Sequence, residues 1–294
     1  MKTSMLAGLI ALSMSMTPVM ADDHNTIKTH TIKDSIHVIS GDGGNITVVE
    51  DERGLLVIDS GLKPYSEDLL MSISDIADSP IRFLVNTHWH FDHVGANLGI
   101  NETGTTILAH HNVHSRMQQG GNIAAFGREV APATANELPV ITYDNGIKFH
   151  WSNDILDVQH FPKGHTDGDS IVFFENANVV IMGDILFHGI YPFIDASSGG
   201  SMLGVIKAVN HVISNIDDNT VVIPGHGGVT TDKAGLIAYR DMLETVYSTM
   251  LAMKNEGMSV EEIVAAKPTA QFNSEWNDGF IKADTWVKII YDAM

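Results

Sequence analysis

Short apolar blocks separated by polar turns run along the chain, and the spacing within each block decides which element it forms. Blocks at 36–39, 46–49 and 55–59 are four or five residues long and rich in isoleucine and valine, which predicts strands. Between 66 and 77 the period changes. Leu69, Leu70, Ile73 and Ile76 recur at helical spacing there, and a strand at 81–85 follows. A second series begins near Pro139, with strands predicted at 140–143, 147–150, 155–160, 171–174 and 179–182. Farther on, Leu236, Tyr239, Leu243, Val246, Met250 and Met253 form one helical stripe, the core-facing side of a helix rather than a cofactor site. Two strand-rich halves fit a duplication, although no sequence repeat links them.

The 81–85 strand runs into Asn86-Thr87-His88-Trp89-His90-Phe91-Asp92-His93, three imidazoles and a carboxylate within six positions. Side chains on a tight loop can converge on one point, and imidazole nitrogen with carboxylate oxygen is a donor set that suits zinc and its neighbours. Two more histidines have similar surroundings: His165 in Phe161-Pro162-Lys163-Gly164-His165-Thr166-Asp167-Gly168, and His226 in Ile223-Pro224-Gly225-His226-Gly227. Between them Asp184 ends the apolar run Val180-Ile181-Met182-Gly183. Four strand ends therefore deliver candidate ligands. His110, His111 and His114 lie away from the glycine-flanked motifs and are expected to be structural.

In this order the motifs resemble the metallo-β-lactamase superfamily, and the resemblance covers nearly the whole of residues 22–294. Val57-Ile58-Asp59-Ser60-Gly61 is similar to that family's strand-end Asp-x-Gly segment. The resemblance implies an α/β fold, an αβ/βα sandwich of two mixed β-sheets flanked by helices, as one domain with a helical C-terminal part. It also implies that His88, His90 and His165 bind a first metal, that Asp92, His93 and His226 bind a second, and that Asp184 bridges the two. Two zinc ions per chain are the expected cofactor, although iron or manganese suits the same donors. Asp92 is expected to act in catalysis, orienting the nucleophile. The chain has no cysteine, which excludes disulfides and thiolate ligands. An aspartate at 184, where β-lactamase subclasses carry Cys or Ser, looks like the glyoxalase II, lactonase and phosphodiesterase branches.

Metal coordination brings the pKa of bound water to around 7, so such a centre makes hydroxide available at neutral pH. No Ser-His-Asp arrangement suggests a covalent route. The expected activity is hydrolysis of an ester, lactone or related acyl bond of a small molecule. The alternatives are a β-lactam hydrolase, a mononuclear iron sulfur dioxygenase and a non-catalytic metal-binding protein. Phe187, His188, Tyr191 and Phe193, in an aromatic segment just past Asp184, are the candidate substrate contacts. No Lys or Arg lies between Asp184 and Gly200, so this rim favours neutral acyl groups over β-lactam carboxylates. The segment 115–138, with Gly120, Gly121 and Gly127 and little period, is expected to be a lid or binding loop.

Charge and the N-terminus bear on partners and location. A formal net charge of −19 disfavours nucleic acid, whose phosphates demand a positive surface. Met1-Lys2, the apolar stretch from Met5 to Met16 and Val19-Met20-Ala21 before Asp22-Asp23 predict a signal peptide at 1–21 and export to the periplasm or medium. The stretch is too short for stable membrane insertion. Nothing in the pattern fixes an oligomeric state.

Overall fold

In the computed structural model residues 27–294 are described, so the predicted signal peptide lies outside the described residues. The first apolar blocks form an antiparallel meander of β1 (Lys28–Lys33), β2 (Ile36–Ser40), β3 (Ile46–Asp51) and β4 (Gly54–Ile58). Helix α1 (Ser66–Ile76) then returns the chain to β5 (Ile81–Asn86), parallel to β4. Short helices α2 (Phe91–Val94) and α3 (Asn97–Asn101) lead to β6 (Thr106–His110), and α4 (His111–Gln119) to a hairpin of β7 (Gly121–Ile123) and β8 (Arg128–Val130). Strand β9 (Ile141–Tyr143) completes a seven-stranded sheet in the order β1-β2-β3-β4-β5-β6-β9.

The second sheet repeats this plan. Strands β10 (Gly146–Trp151), β11 (Asp154–His160), β12 (Ser170–Phe174) and β13 (Val179–Ile181) make a meander. After β14 (Phe187–His188) and α5 (Met202–Asn215), β15 (Val221–Ile223) lies parallel to β13. Strand β16 (His226–Gly227) pairs with β14. The chain finishes in α6 (Lys233–Asn255), α7 (Val260–Ala266), α8 (Asn273–Trp276) and α9 (Ala283–Asp292).

Each half thus holds a four-strand meander, a helix and a parallel strand, and the first adds two more parallel strands, β6 and β9. Both faces of each sheet are covered, which is why β2, β3 and β4 read as near-continuous apolar runs rather than clean alternations. Val38, Leu56, Ile58 and Val85 of the first sheet meet Leu156, Val172, Phe174 and Ile223 of the second in the central layer. Leu69 and Ile73 of α1 cover the outer face of the first sheet. The outer face of the second packs on α5, α6 and α9 through Val180, Val222, Val209, Leu243 and Trp286. The layers run helix, sheet, sheet, helix, the αβ/βα sandwich expected from the motifs. Strand β1 and helix α5 were not among the elements the apolar spacing predicts. The first is mostly exposed, whereas the second buries Met202, Val205, Ile206, Val209 and Val212, which recur at helical spacing.

Candidate metal centre

One edge of the sandwich collects the ends of β5, β11, β13 and β15, and every candidate ligand leaves from them. His90 is the extended N-cap residue of α2, so His88 and His90 precede the helix while Asp92 and His93 lie in its first turn. This places four donors around one chain reversal. Two groups of side chains result, His88, His90, His165 and Asp184 in one and Asp92, His93 and His226 in the other. Within each group the donor atoms all lie within 4.8 Å of one another. Asp184 stands between the groups: its Oδ2 is 3.6 Å from His88 Nε2, 3.5 Å from His165 Nε2 and 3.4 Å from His226 Nε2, and its Oδ1 is 3.1 Å from His93 Nε2. Asp92 Oδ2 lies 3.1 Å from His226 Nε2. Two glycines make room for this approach. A Cβ on Gly44 would strike the His93 ring, and one on Gly225 would strike Asp184 Oδ1.

The surrounding hydrogen bonds decide which ring nitrogen of each histidine carries the proton. His165 Nδ1 donates to the Phe193 carbonyl at 2.8 Å, and His90 Nε2 donates to the Asp195 carboxylate at 3.0 Å. Their other nitrogens, His165 Nε2 and His90 Nδ1, face each other at 2.8 Å as two lone pairs. His88 Nδ1 donates to Thr87 Oγ1 at 3.0 Å, and Thr87 Oγ1 donates to Asp59 Oδ2 at 2.7 Å. His88 Nε2 is left buried without a hydrogen-bond partner, as is Asp184 Oδ1. Converging lone pairs on buried atoms repel one another unless a cation joins them, so these residues fit a divalent metal. His93 follows the same rule, donating from Nδ1 to Asp59 Oδ2 at 2.8 Å and aiming Nε2 at the other group.

Electrostatics divides the site further. Burial, and then the neighbouring imidazoles, hold His88 well below its ordinary pKa and His165 at about 4. Against burial, Asp184 and Asp92 lift His226 to about 9, and Asp184 and Asp59 raise His93. Asp92 and Asp184, also against burial, are held below the usual carboxylate range by these imidazoles. The second group therefore draws positive charge, and protons and a metal compete for the same nitrogens.

All seven sequence-derived ligand residues meet here, whereas the substrate candidates separate. Phe187 stacks on His226 with ring centres 5.1 Å apart, and Phe193 stacks on His90 at 5.7 Å. With Ile123, Phe126 and Phe280 they close around the site and leave a cavity of about 60 Å³. Tyr191 does not contribute to it. Its ring stacks on Trp286 at 4.3 Å and its hydroxyl donates to Asn273 Oδ1 at 2.8 Å, so it anchors the C-terminal helices. His188 alternates with Phe187 along β14 and turns its ring toward Gly228, away from the cavity. Segment 115–138 is not one irregular loop but the end of α4, the β7–β8 hairpin and a following stretch, with Phe126 at the hairpin tip. His110 stacks on His160 at 3.6 Å and His114 donates to the Pro139 carbonyl, so among the described residues neither joins a donor group. Sequence reasoning assigned no role to Asp59 or Asp195, the carboxylates behind His93 and His90. Asp59 was detectable, because it ends β4 as Asp184 ends β13.

An α/β sandwich with paired histidine–aspartate donor groups at its strand ends is an arrangement suited to binding metal. The chain belongs to the metallo-beta-lactamase superfamily, whose family model matches residues 39–245, and it is a metal-dependent hydrolase. It is 26% identical over 192 residues to hydroxyacylglutathione hydrolase GloC of Haemophilus influenzae, covering 62% of this chain and 84% of that one. A metallo-beta-lactamase from Pontibacter korlensis superposes with a TM-score of 0.61 at 19% identity, over 74% of this chain and 99% of that one. The sec-alkylsulfatase Pisa1 from Pseudomonas sp. gives 0.67 at 17% identity and covers 91% of this chain, which spans only 50% of that protein. At such identities the structures share the fold.

Proposed function

We propose that the chain is an exported hydrolase with two zinc ions that cleaves an ester, lactone or related acyl bond of a small molecule. The observation that carries this is Asp184, placed within 3.6 Å of nitrogen donors from both groups and left with an unpartnered buried oxygen. His88, His90, His165 and Asp184 would hold one ion, and Asp92, His93, His226 and Asp184 the other. Zinc bound there supplies Lewis acidity and a water activated near neutral pH. The protein's own part is orientation: Asp59, Asp195, Thr87 and the Phe193 carbonyl fix four imidazoles, and the phenylalanine rim keeps bulk water from the reacting bond. Asp92, at the cavity wall beside His226, would orient the attacking group. An apolar wall of Ile123, Phe126, Phe187, Phe193 and Phe280 suits the uncharged part of an acyl group next to the scissile bond, since burial contributes about 25 cal/mol per Å². That a relative is named as a hydroxyacylglutathione hydrolase supports the acyl chemistry. The test is side-by-side kinetics on zinc-loaded protein. Aryl esters or lactones should show higher kcat/KM than penicillins, cephalosporins or carbapenems; efficient β-lactam turnover with negligible esterase and lactonase activity would overturn the choice.

A further inference from the structure

The cavity over the donor groups, about 60 Å³, admits little more than the reacting atoms. Sites for small molecules usually span about 300–1,000 Å³, so the body of the substrate must lie elsewhere. A groove of about 380 Å³ adjoins the cavity, and Phe91 belongs to the walls of both. Trp89, Val94, Met117 and Val130 give the groove an apolar lining. Two cations reach it. Lys63 pairs with Glu137 at 3.4 Å, and Glu137 also accepts from the backbone N–H and hydroxyl of Thr134, so that charge is already answered. Arg128, the first residue of β8, is exposed and pairs with no carboxylate among the described residues. Its guanidinium carbon lies 3.4 Å from the centre of the Phe91 ring. Stacking occupies the flat face and leaves the N–H donors free around the edge. Phe91 precedes Asp92, so this cation stands at the partition between the groove and the candidate metal centre. The aromatic segment after Asp184 has no cation, and the hairpin supplies one.

We propose that the groove receives the non-reacting arm of the substrate, an apolar chain ending in a carboxylate, and that Arg128 determines specificity for that charge. This rests on the hydrolase function proposed above. The experiment compares two aryl esters on the zinc-loaded full chain, one with a butyryl group and one with a glutaryl group ending in a free carboxylate. The wild type should favour the glutaryl ester in kcat/KM by roughly tenfold, through KM, and the preference should shrink as salt is raised. Arg128→Ala should lower kcat/KM for the glutaryl ester roughly tenfold more than for the butyryl ester and so abolish the preference, and Arg128→Lys should restore part of it. Calorimetric binding of 4-phenylbutyrate, which cannot be hydrolysed, should weaken by a similar factor in Arg128→Ala. An absent preference in the wild type, or equal loss of both esters in Arg128→Ala, would overturn the role of the groove alone. Failure of the wild type to hydrolyse either ester would overturn the proposed function, and this assignment with it.

Discussion

Replacing Asp59 with asparagine should damage both donor groups through a residue that is in neither. The carboxylate is 2% exposed and accepts three hydrogen bonds: from Thr87 N at 2.7 Å, Thr87 Oγ1 at 2.7 Å and His93 Nδ1 at 2.8 Å. Through Thr87 it also fixes His88, one histidine of each group. In Asp59→Asn one oxygen can still serve Thr87 N, but an amide N–H replaces the oxygen that faced His93 and the Thr87 hydroxyl. Two donors then oppose each other. The relief available to His93 is to move its proton from Nδ1 to Nε2, which blocks the nitrogen aimed at the metal. Loss of such an orienting partner costs about 10–100-fold in metal affinity, which is about 1.4–2.8 kcal/mol. Unmaking buried hydrogen bonds to a charged acceptor should lower fold stability by a further 1–3 kcal/mol, roughly. Because His93 touches Asp59 directly and His88 only through Thr87, the second metal should suffer more. Zinc titration against a chromophoric chelator reads the two binding steps, and long-range ¹⁵N NMR of the imidazoles reads the tautomer. Two unchanged binding steps with His93 still protonated at Nδ1 would refute the reasoning.

Five further outcomes are expected. His88→Ala should remove nearly all hydrolysis while the far-ultraviolet circular dichroism stays that of the folded chain, and full activity in this variant would place His88 outside the centre. Asp184→Asn should weaken zinc occupancy, chiefly of the second ion, and cut turnover sharply; two tightly held ions at normal rates would contradict its bridging position. Since Asp184 and Asp92 lift the His226 pKa to about 9, the second metal displaces a proton below that pH. With His93 raised as well, the apparent affinity of that metal should rise at least tenfold per pH unit, roughly, from neutral toward 9, and a pH-independent titration would count against this. Tyr191→Phe should cost about 1 kcal/mol of stability in a denaturant melt and leave KM alone, whereas Phe193→Ala should raise KM for apolar substrates.

The donor set was legible because each ligand is announced locally, four by the His-x-His-x-Asp-His cluster that follows an apolar strand and three by a His or Asp beside glycine. The strands and the long C-terminal helix were legible for the same reason: burial on known faces imposes a period of two, a solid apolar block or a period of 3.6. What escaped depends on contacts between distant segments. Asp195 reaches His90 across 105 positions, and no string around either residue reports the other. Tyr191 and His188 were misjudged because an irregular aromatic segment has no period from which to read direction. Gly189 adopts a positive φ of 72°, and from there the chain turns so that Tyr191 points to α8 and α9 while Phe193 returns to the metal side. Likewise the hairpin tip that carries Phe126 and Arg128 lay in a segment whose composition marked only a loop.

The most direct test of the two-metal hydrolase is metal analysis of the purified chain, paired with ester turnover before and after chelation. The expected result is about two zinc per chain, loss of hydrolysis as both are stripped, and recovery on adding Zn²⁺ back. One iron per chain, with the Asp92, His93 and His226 side carrying no metal, or full hydrolysis after complete removal of metal, would contradict it.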